Sequence, residues 1–173
     1  KELLDKIATA DAISFDLFDT LIMRRVFCYA DVFDLVDDQL RKQGIEIDDF
    51  SNKRLQAEKE LSKNSSPILE EIYTSIVGED ELSKVVAEIE YEIDNKTLCV
   101  RRDMVDIFQC IIASGKPVYI TTDTYYNRKR TTDILDRFNI TGYSDVLVSC
   151  EYNIGKRQGL FKELKDLVCK SCD

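Results

Sequence analysis

The sequence predicts an α/β fold in which a parallel sheet carries an inserted block of helices. Three short runs of mainly apolar residues have the character of buried strands, at residues 12–15, 118–122 and 145–149. No hairpin turn joins any two of them, and helical patterns separate them, so we expect parallel strands joined by crossovers. About 100 residues separate the first run from the second, whereas one crossover needs only about a dozen. The surplus residues predict an insertion between the first strand and the second.

The helical pattern of this insertion is clearest in three segments. Residues 31–44 place apolar side chains on one helix face and end at a glycine. Residues 66–78 predict a helix with Ser66 as its cap and Pro67 in its first turn. Residues 82–93 repeat apolar side chains at helical spacing, and these are expected to face the core: Leu82, Val85, Val86, Ile89 and Ile93.

These patterns divide the chain into two parts. We expect a Rossmann-like core formed by residues 1–26 and 99–173, and an α-helical insertion formed by residues 27–98. The first residue is Lys rather than Met, which we interpret as a sign that the chain is part of a longer protein.

Composition and charge exclude several classes of function. The chain has 173 residues and a net charge of -9, which argues against nucleic acid or an anionic membrane as partner, because both need a basic surface. No apolar run approaches the roughly 18 to 20 residues of a membrane helix. We therefore expect a cytoplasmic protein that neither inserts in a membrane nor binds nucleic acid.

The chain contains no histidine, which excludes Ser-His-Asp and Cys-His catalysis and histidine metal sites. Six cysteines are spread along the sequence, and only Cys169 and Cys172 have C-x-x-C spacing. No further pair supplies the other two ligands of a zinc site, so ordinary reduced thiols are expected. Carboxylates, lysines, tyrosines and cysteines remain for acid-base work.

Polar residues follow each predicted strand. Asp16 comes after the first, Thr122 and Asp123 close the second, and the loop after the third leads to Lys156. The carboxyl ends of parallel strands meet at one edge of a sheet, so these side chains should converge. A carboxylate, a hydroxyl and a lysine suit phosphoryl transfer through a covalent aspartyl intermediate.

Three sequence motifs in this order resemble those of the haloacid dehalogenase-like (HAD) superfamily. They are "ISFDLFDTL", "VYITTD" and a lysine that opens the amphipathic segment "GKRQGLFKELKDL". The helical insertion resembles the cap of that superfamily. The form "SFDxFDT" is similar to a bacterial subgroup of predicted hydrolases that are often attached to glycosyltransferases of surface-polysaccharide synthesis, which implies such an enzyme as a partner.

The resemblance implies a role for each matching residue. Asp16 matches the nucleophile and a magnesium ligand, and the main-chain carbonyl of Phe18 matches a second ligand. Thr122 matches the hydroxyl that binds phosphate, and Lys156 matches the lysine that neutralises charge. Four further residues beside the motifs are assigned to substrate binding: Asp19, Thr20, Arg24 and Asp123.

The sequence departs from the family pattern in two places. Phosphatases of the superfamily carry a second Asp, the general acid and base, where this chain has Phe18. Asp19 stands where the usual motif has Gly; it either replaces the missing acid or shapes the turn, and we expect the second. The chain also ends where the family continues into a strand and an acidic loop that completes the magnesium site. We therefore expect magnesium to be weakly held or absent and the enzyme to be incomplete.

The resulting hypothesis is a HAD-like hydrolase, a magnesium-dependent phosphatase that acts on a small phosphorylated metabolite through an aspartyl phosphate. One alternative is dehalogenase-like chemistry at the same Asp, which the non-acidic Phe18 permits. The other is a regulatory or docking module, without catalysis, in a protein of polysaccharide assembly.

Overall fold

A three-stranded parallel sheet forms the centre of the larger part of the chain. The computed structural model describes residues 2–78 and 80–170, without the side chains of residues 2–4 and 80. The strands are β1 (Ile13–Phe15), β4 (Val118–Thr122) and β5 (Asp145–Val148), in the order β1-β4-β5. Both pairings are parallel. The predicted α/β fold class with a parallel sheet is confirmed.

Helices cover this sheet and form its crossovers. They are α1 (Glu2–Thr9), α6 (Arg102–Ala113), α7 (Arg128–Arg137), α8 (Ser149–Tyr152), a π-helical segment (Lys156–Leu160) and α9 (Phe161–Lys170). Every residue of β4 is buried, as expected for a central strand covered on both faces. Tyr119, Leu147 and Leu160 form a buried cluster on one face, against which α9 packs Leu164 and Leu167.

The chain forms two compact units. The sheet unit comprises Lys1–Met23 and Val100–Asp173, and the helical unit comprises Arg24–Cys99. The sequence-based division placed these boundaries at residues 26/27 and 98/99. Two further strands, β2 (Ile22–Arg24) and β3 (Leu98–Val100), pair with each other where the chain passes between the units.

The helical unit contains α2 (Asp31–Lys42), α3 (Phe50–Leu61), α4 (Leu69–Val77) and α5 (Asp80–Thr97). The apolar face predicted for α2 is buried as expected: Val32, Phe33, Val36 and Leu40.

The predicted start of α4 is wrong. The helix begins at Leu69 rather than at Pro67. Ile68 is still extended, with φ -81° and ψ 161°, and its N–H donates to the carboxylate of Glu71 at 3.1 Å. Glu71 therefore satisfies the N–H of Ile68, the residue that precedes the helix.

The predicted core face of α5 is also wrong in part. Val85 is exposed, while Ser83, Glu90 and Asp94 are buried together with Val86. A buried carboxylate is tolerated where a cation pairs with it, and two arginines supply this pairing, as described below.

Two further expectations concern membrane helices and the C-x-x-C cysteines. Among the described helices, none has the length and apolar character that crossing a membrane requires. Cys169 is an exposed free thiol, and Cys172 lies outside the described residues.

Candidate functional site

Asp16 and Lys156 form an ion pair at the carboxyl edge of the sheet. Asp16 follows β1, and Lys156 opens the π-helical segment that follows β5 and α8. The Lys156 Nζ lies 2.6 Å from Asp16 Oδ1, and the side chains are 17% and 41% exposed, respectively. The structure thus brings together the carboxylate and the lysine that the sequence placed at two separate strand ends.

The two carboxylate oxygens of Asp16 have different surroundings. Oδ1 accepts the Leu17 N–H at 2.8 Å and also binds the Lys156 ammonium. Within the part of the chain that the structure describes, Oδ2 accepts no hydrogen bond. One oxygen is therefore held in place, while the other remains available to a reactant.

A tight turn, residues 16–22, follows the carboxylate and is called the acidic turn below. The carbonyl of Leu17 accepts three N–H groups, from Thr20 at 3.3 Å, Leu21 at 2.9 Å and Ile22 at 3.1 Å. Asp19 has a positive φ of 58°, a left-handed conformation that Gly adopts freely and Asp tolerates better than most residues. This conformation accounts for Asp19 at a position where the related motif has Gly.

Three other residues of the acidic turn, Phe18, Asp19 and Thr20, were assigned to the site and are placed as follows. The exposed carboxylate of Asp19 makes no hydrogen bond to the described residues, and Thr20 contributes its N–H to the turn. Phe18 packs its ring against Tyr126, with 6.2 Å between centroids. The position that the sequence left without a general acid therefore holds an aromatic ring.

Thr122 ends the central strand and is fully buried. Its Oγ1 has no hydrogen-bond partner among the described residues, whereas the hydroxyl of its neighbour Thr121 accepts one from Ser14 at 2.9 Å. An unpaired buried hydroxyl costs about 1–3 kcal/mol, and such groups in native proteins call for an explanation. A ligand oxygen is the explanation that agrees with the sequence-based assignment.

Asp123 holds the lysine loop in place. Its Oδ1 accepts the Lys156 N–H at 2.9 Å, and a Cβ at Gly155 would lie 3.5 Å from the same oxygen. The Gly155 N–H in turn donates to the Gln158 side chain at 3.0 Å. Asp123 was assigned to substrate binding; in this structure its carboxylate anchors the backbone beside Lys156.

Ser149 is a residue of this edge that the sequence analysis did not single out. Its buried hydroxyl accepts the Thr124 N–H at 3.0 Å and donates to the Thr124 carbonyl at 3.2 Å. It therefore ties the loop after β4 to the end of β5. Its position directly after a buried strand was the one available signal.

Arg24 lies in the helical unit, where its guanidinium is bound to a buried carboxylate. Nε and Nη2 donate to the two oxygens of Asp94 at 2.6 and 2.7 Å, and the group also lies 5.0 Å from the centre of the Tyr29 ring. The guanidinium that was expected to bind an anionic substrate is thus bound to Asp94.

The described residues offer few ligands for a metal ion. No three acidic or cysteine side chains within them come together as a metal-binding group. Magnesium is often held by only one or two carboxylates together with substrate phosphate and water. Asp16 and the Phe18 carbonyl, the two ligands that the resemblance implies, would be such a limited protein contribution.

No protein-family model matches the sequence, and no curated protein does so either. Solved structures do. L-2-haloacid dehalogenase from Xanthobacter autotrophicus superposes with a TM-score of 0.57 at 12% identity, over 94% of this chain and 66% of that enzyme. A HAD-family enzyme from Bacteroides thetaiotaomicron gives 0.54 at 14%, over 90% and 76%. A candidate phosphatase from Clostridium difficile gives 0.50 at 18%, over 91% and 69%.

The chain thus spans about two thirds to three quarters of the length of these structures. At such identities the likeness concerns the fold, and it agrees with the resemblance carried by the three motifs. The chain has the haloacid dehalogenase-like fold.

Proposed function

We propose that the chain is a HAD-like hydrolase that transfers a phosphoryl group from a small phosphorylated compound to Asp16 and then to water. The observation that carries the proposal is the carboxylate of Asp16, with Oδ1 bound by Lys156 at 2.6 Å and Oδ2 without a hydrogen bond from the described residues. The unpartnered buried hydroxyl of Thr122, at the end of the adjacent strand, supports it.

In the proposed reaction, Asp16 Oδ2 attacks phosphorus, the bond from phosphorus to the leaving oxygen breaks, and that oxygen keeps the electron pair. Water then attacks the phosphorus of the aspartyl phosphate, releasing inorganic phosphate and the free carboxylate. Lys156 offsets the charge that accumulates as an anionic nucleophile meets an anionic substrate. Thr122 donates its hydroxyl hydrogen to a phosphoryl oxygen, and the hydroxyl, which is covered in this structure, becomes accessible when substrate binds.

The leaving oxygen receives no proton from the position of the usual general acid, which Phe18 occupies. General acid catalysis contributes roughly 10² to 10⁴ in rate, and the aromatic ring of Phe18 cannot supply it. Substrates whose leaving group departs without a proton should therefore be strongly preferred. Acyl phosphates and nitrophenyl phosphate are of this kind, and simple alkyl phosphates are not.

Magnesium belongs to the proposal. Asp16 and the Phe18 carbonyl would hold it, together with oxygens of the substrate phosphate and water. When bound, the ion neutralises negative charge on the phosphoryl oxygens.

A second candidate function is removal of halide at the same carboxylate. The observation that favours it is Phe18, because displacing a halide from carbon leaves a stable anion and needs no general acid. Asp16 would form an ester at that carbon, and water would hydrolyse the ester.

The test is an assay of the wild-type chain and of Asp16→Asn with acetyl phosphate, nitrophenyl phosphate and 2-chloropropionate, each with magnesium and with a chelator. Asp106→Asn is the matched control, because Asp106 is exposed and forms no hydrogen bond with the described residues. We expect magnesium-dependent release of phosphate by the wild type and the control, and a fall of about 10³-fold or more in Asp16→Asn.

Halide release from 2-chloropropionate, without phosphate release, would replace the proposal by the second candidate. If the folded protein releases neither phosphate nor halide, both candidates are contradicted and the non-catalytic module is favoured. Phosphate release that survives chelation would remove magnesium from the proposal and leave Asp16 as the acceptor.

A further inference from the structure

Arg101 contacts the acidic turn twice, although neither the sequence motifs nor the proposed chemistry includes it. Its Nη1 donates to the Asp19 carbonyl at 2.7 Å, and its backbone N–H donates to the Leu21 carbonyl at 2.9 Å. Arg101 directly follows β3 and precedes α6. A residue far along the chain thus holds two carbonyls of the turn that begins at Asp16.

The acidic turn needs such support because of its conformation. Three N–H groups converge on the one carbonyl of Leu17, and Asp19 takes a left-handed φ of 58°. A residue other than Gly in this conformation is disfavoured unless its surroundings determine it. The Arg101 bond to the carbonyl of this same residue favours the observed turn over extended alternatives.

The guanidinium is itself oriented from a second side. Its Nη2 lies 3.6 Å from the carboxylate of Asp103, and the Arg101 side chain is 36% exposed. A hydrogen bond from a charged donor to a carbonyl oxygen is stronger than one from a neutral donor. The Arg101 side chain thus acts on the turn through the Asp19 carbonyl.

We propose that Arg101 is a positioning residue for Asp16: it fixes the acidic turn so that the carboxylate is presented with Oδ1 on Lys156 and Oδ2 free. This inference rests on the proposed function. Misplacing a reacting group by about 1 Å can cost about 10²-fold in rate, so a residue that never touches the substrate can change turnover.

The experiment compares Arg101→Met and Arg101→Lys with Arg102→Met. Arg102 is the matched control because it is the next residue, is exposed, and forms no side-chain hydrogen bond or ion pair with the described residues. Two quantities are measured: the amide hydrogen-exchange rates of Leu21 and Ile22, which donate to the Leu17 carbonyl, and kcat and KM for acetyl phosphate.

For Arg101→Met we expect exchange of the two amides to rise about tenfold, the effect of losing one hydrogen bond. We expect kcat to fall about 10²-fold, with KM changed by less than about threefold because no substrate contact is lost. Arg101→Lys keeps a charged donor and should recover most of kcat. Arg102→Met should match the wild type in both measurements.

The possible results separate the role of Arg101 from the proposed function. Wild-type exchange rates in Arg101→Met, or faster exchange with unchanged kcat, would overturn the role of Arg101 alone. A rise in KM with unchanged kcat would also overturn it, because it would indicate a substrate contact. A wild-type chain that turns over no phosphate compound would overturn the proposed function, which the Arg101 variants cannot do.

Discussion

In the helical unit, both oxygens of Glu90 accept N–H groups of Arg54 at 2.7 and 2.8 Å, and both residues are fully buried. In the sheet unit, Lys156 binds one oxygen of Asp16 at 2.6 Å and leaves the other without a partner among the described residues, on a side chain that is 41% exposed. The first pair is complete in itself, and the second leaves one oxygen open to a third group.

Neighbouring residues also bond to Arg54 and Glu90, the ion pair of the helical unit. Tyr73 donates its hydroxyl to Glu90, and Arg54 also donates to Glu58 at 2.7 Å. The Arg54 guanidinium lies 4.8 Å from the centre of the Phe33 ring, an arrangement typical of cation–π contacts. Fully satisfied polar networks of this kind fix a unique packing, so we interpret this one as structural.

The difference indicates where to look for function. A buried charge with all its partners holds a fold, whereas a buried polar group without one calls for an explanation, and a ligand is one such explanation. The carboxyl edge of the sheet has both an open carboxylate oxygen and the unpartnered Thr122 hydroxyl. In the helical unit, by contrast, Glu90 and Asp94 each have both carboxylate oxygens bonded to an arginine.

The largest change in stability is expected from Arg54→Met, which leaves Glu90 buried without its cation. Breaking a buried pair from one side costs about 3–5 kcal/mol, measured as the free energy of unfolding in denaturant. The double variant Arg54→Met/Glu90→Met should recover part of this loss. Lys63→Met, which breaks an exposed pair with Glu60, should leave stability unchanged. A loss below about 1 kcal/mol in Arg54→Met would contradict a structural network.

Lys156→Met should have the opposite profile. Because the ion pair with Asp16 is partly exposed, the free energy of unfolding should change by less than about 1 kcal/mol. The rate of phosphate release should fall about 10²-fold, the usual effect of removing one group that stabilises charge in a transition state. The rate is measured by steady-state turnover, and the free energy of unfolding is measured in denaturant on the same preparation. Lost stability with unchanged turnover would show that the two pairs do not differ as described.

Thr122→Val tests the unpartnered hydroxyl. Valine has nearly the same shape, so removing a buried hydroxyl without a partner should raise stability by about 1–3 kcal/mol while phosphate turnover falls. Thr121→Val is the matched control on the adjacent residue, whose hydroxyl accepts a bond from Ser14; it should lose about 1 kcal/mol. Equal destabilisation by both variants would show that the Thr122 hydroxyl is satisfied within the protein.

The smallest effect concerns pH. Burial, followed by the charge of Glu90, raises the pKa of Tyr73 well above 10.0. The folded chain then holds this proton more tightly than the unfolded chain, so the contribution to stability is complete below about pH 10 and falls as pH rises further. Between about pH 9 and 11, the unfolding free energy of the wild type should decline more steeply than that of Tyr73→Phe, by up to about 1.4 kcal/mol per pH unit. Parallel curves would contradict burial of this phenol.

The sequence predicted the sheet and its carboxyl edge well because both follow from local patterns. β4 occupies residues 118–122 as expected, and the parallel order of the strands brings Asp16 and Lys156 together. It did not predict the buried charges of α5. Hydrophobic periodicity treats Glu90 and Asp94 as surface residues, and only their arginine partners, distant in sequence, make their burial tolerable.

The role of Arg101 was not predicted from the sequence, for a related reason. Its contacts go to backbone carbonyls of the acidic turn, and a bond to a carbonyl leaves no trace in the type of the residue that accepts it. The start of α4 was misplaced because Ser66 and Pro67 are typical of a helix start, whereas the Glu71 carboxylate sets it later.

The most direct test of the central claim is to identify the residue that becomes phosphorylated. The chain would be mixed with acetyl phosphate and magnesium, quenched in acid at successive times, digested with pepsin and analysed by mass spectrometry. We predict one phosphoryl group on Asp16 during turnover, absent from Asp16→Asn and retained in Asp106→Asn. Phosphate release with no phosphoryl group on Asp16, or with the group on another residue, would contradict the assignment of Asp16 as the nucleophile.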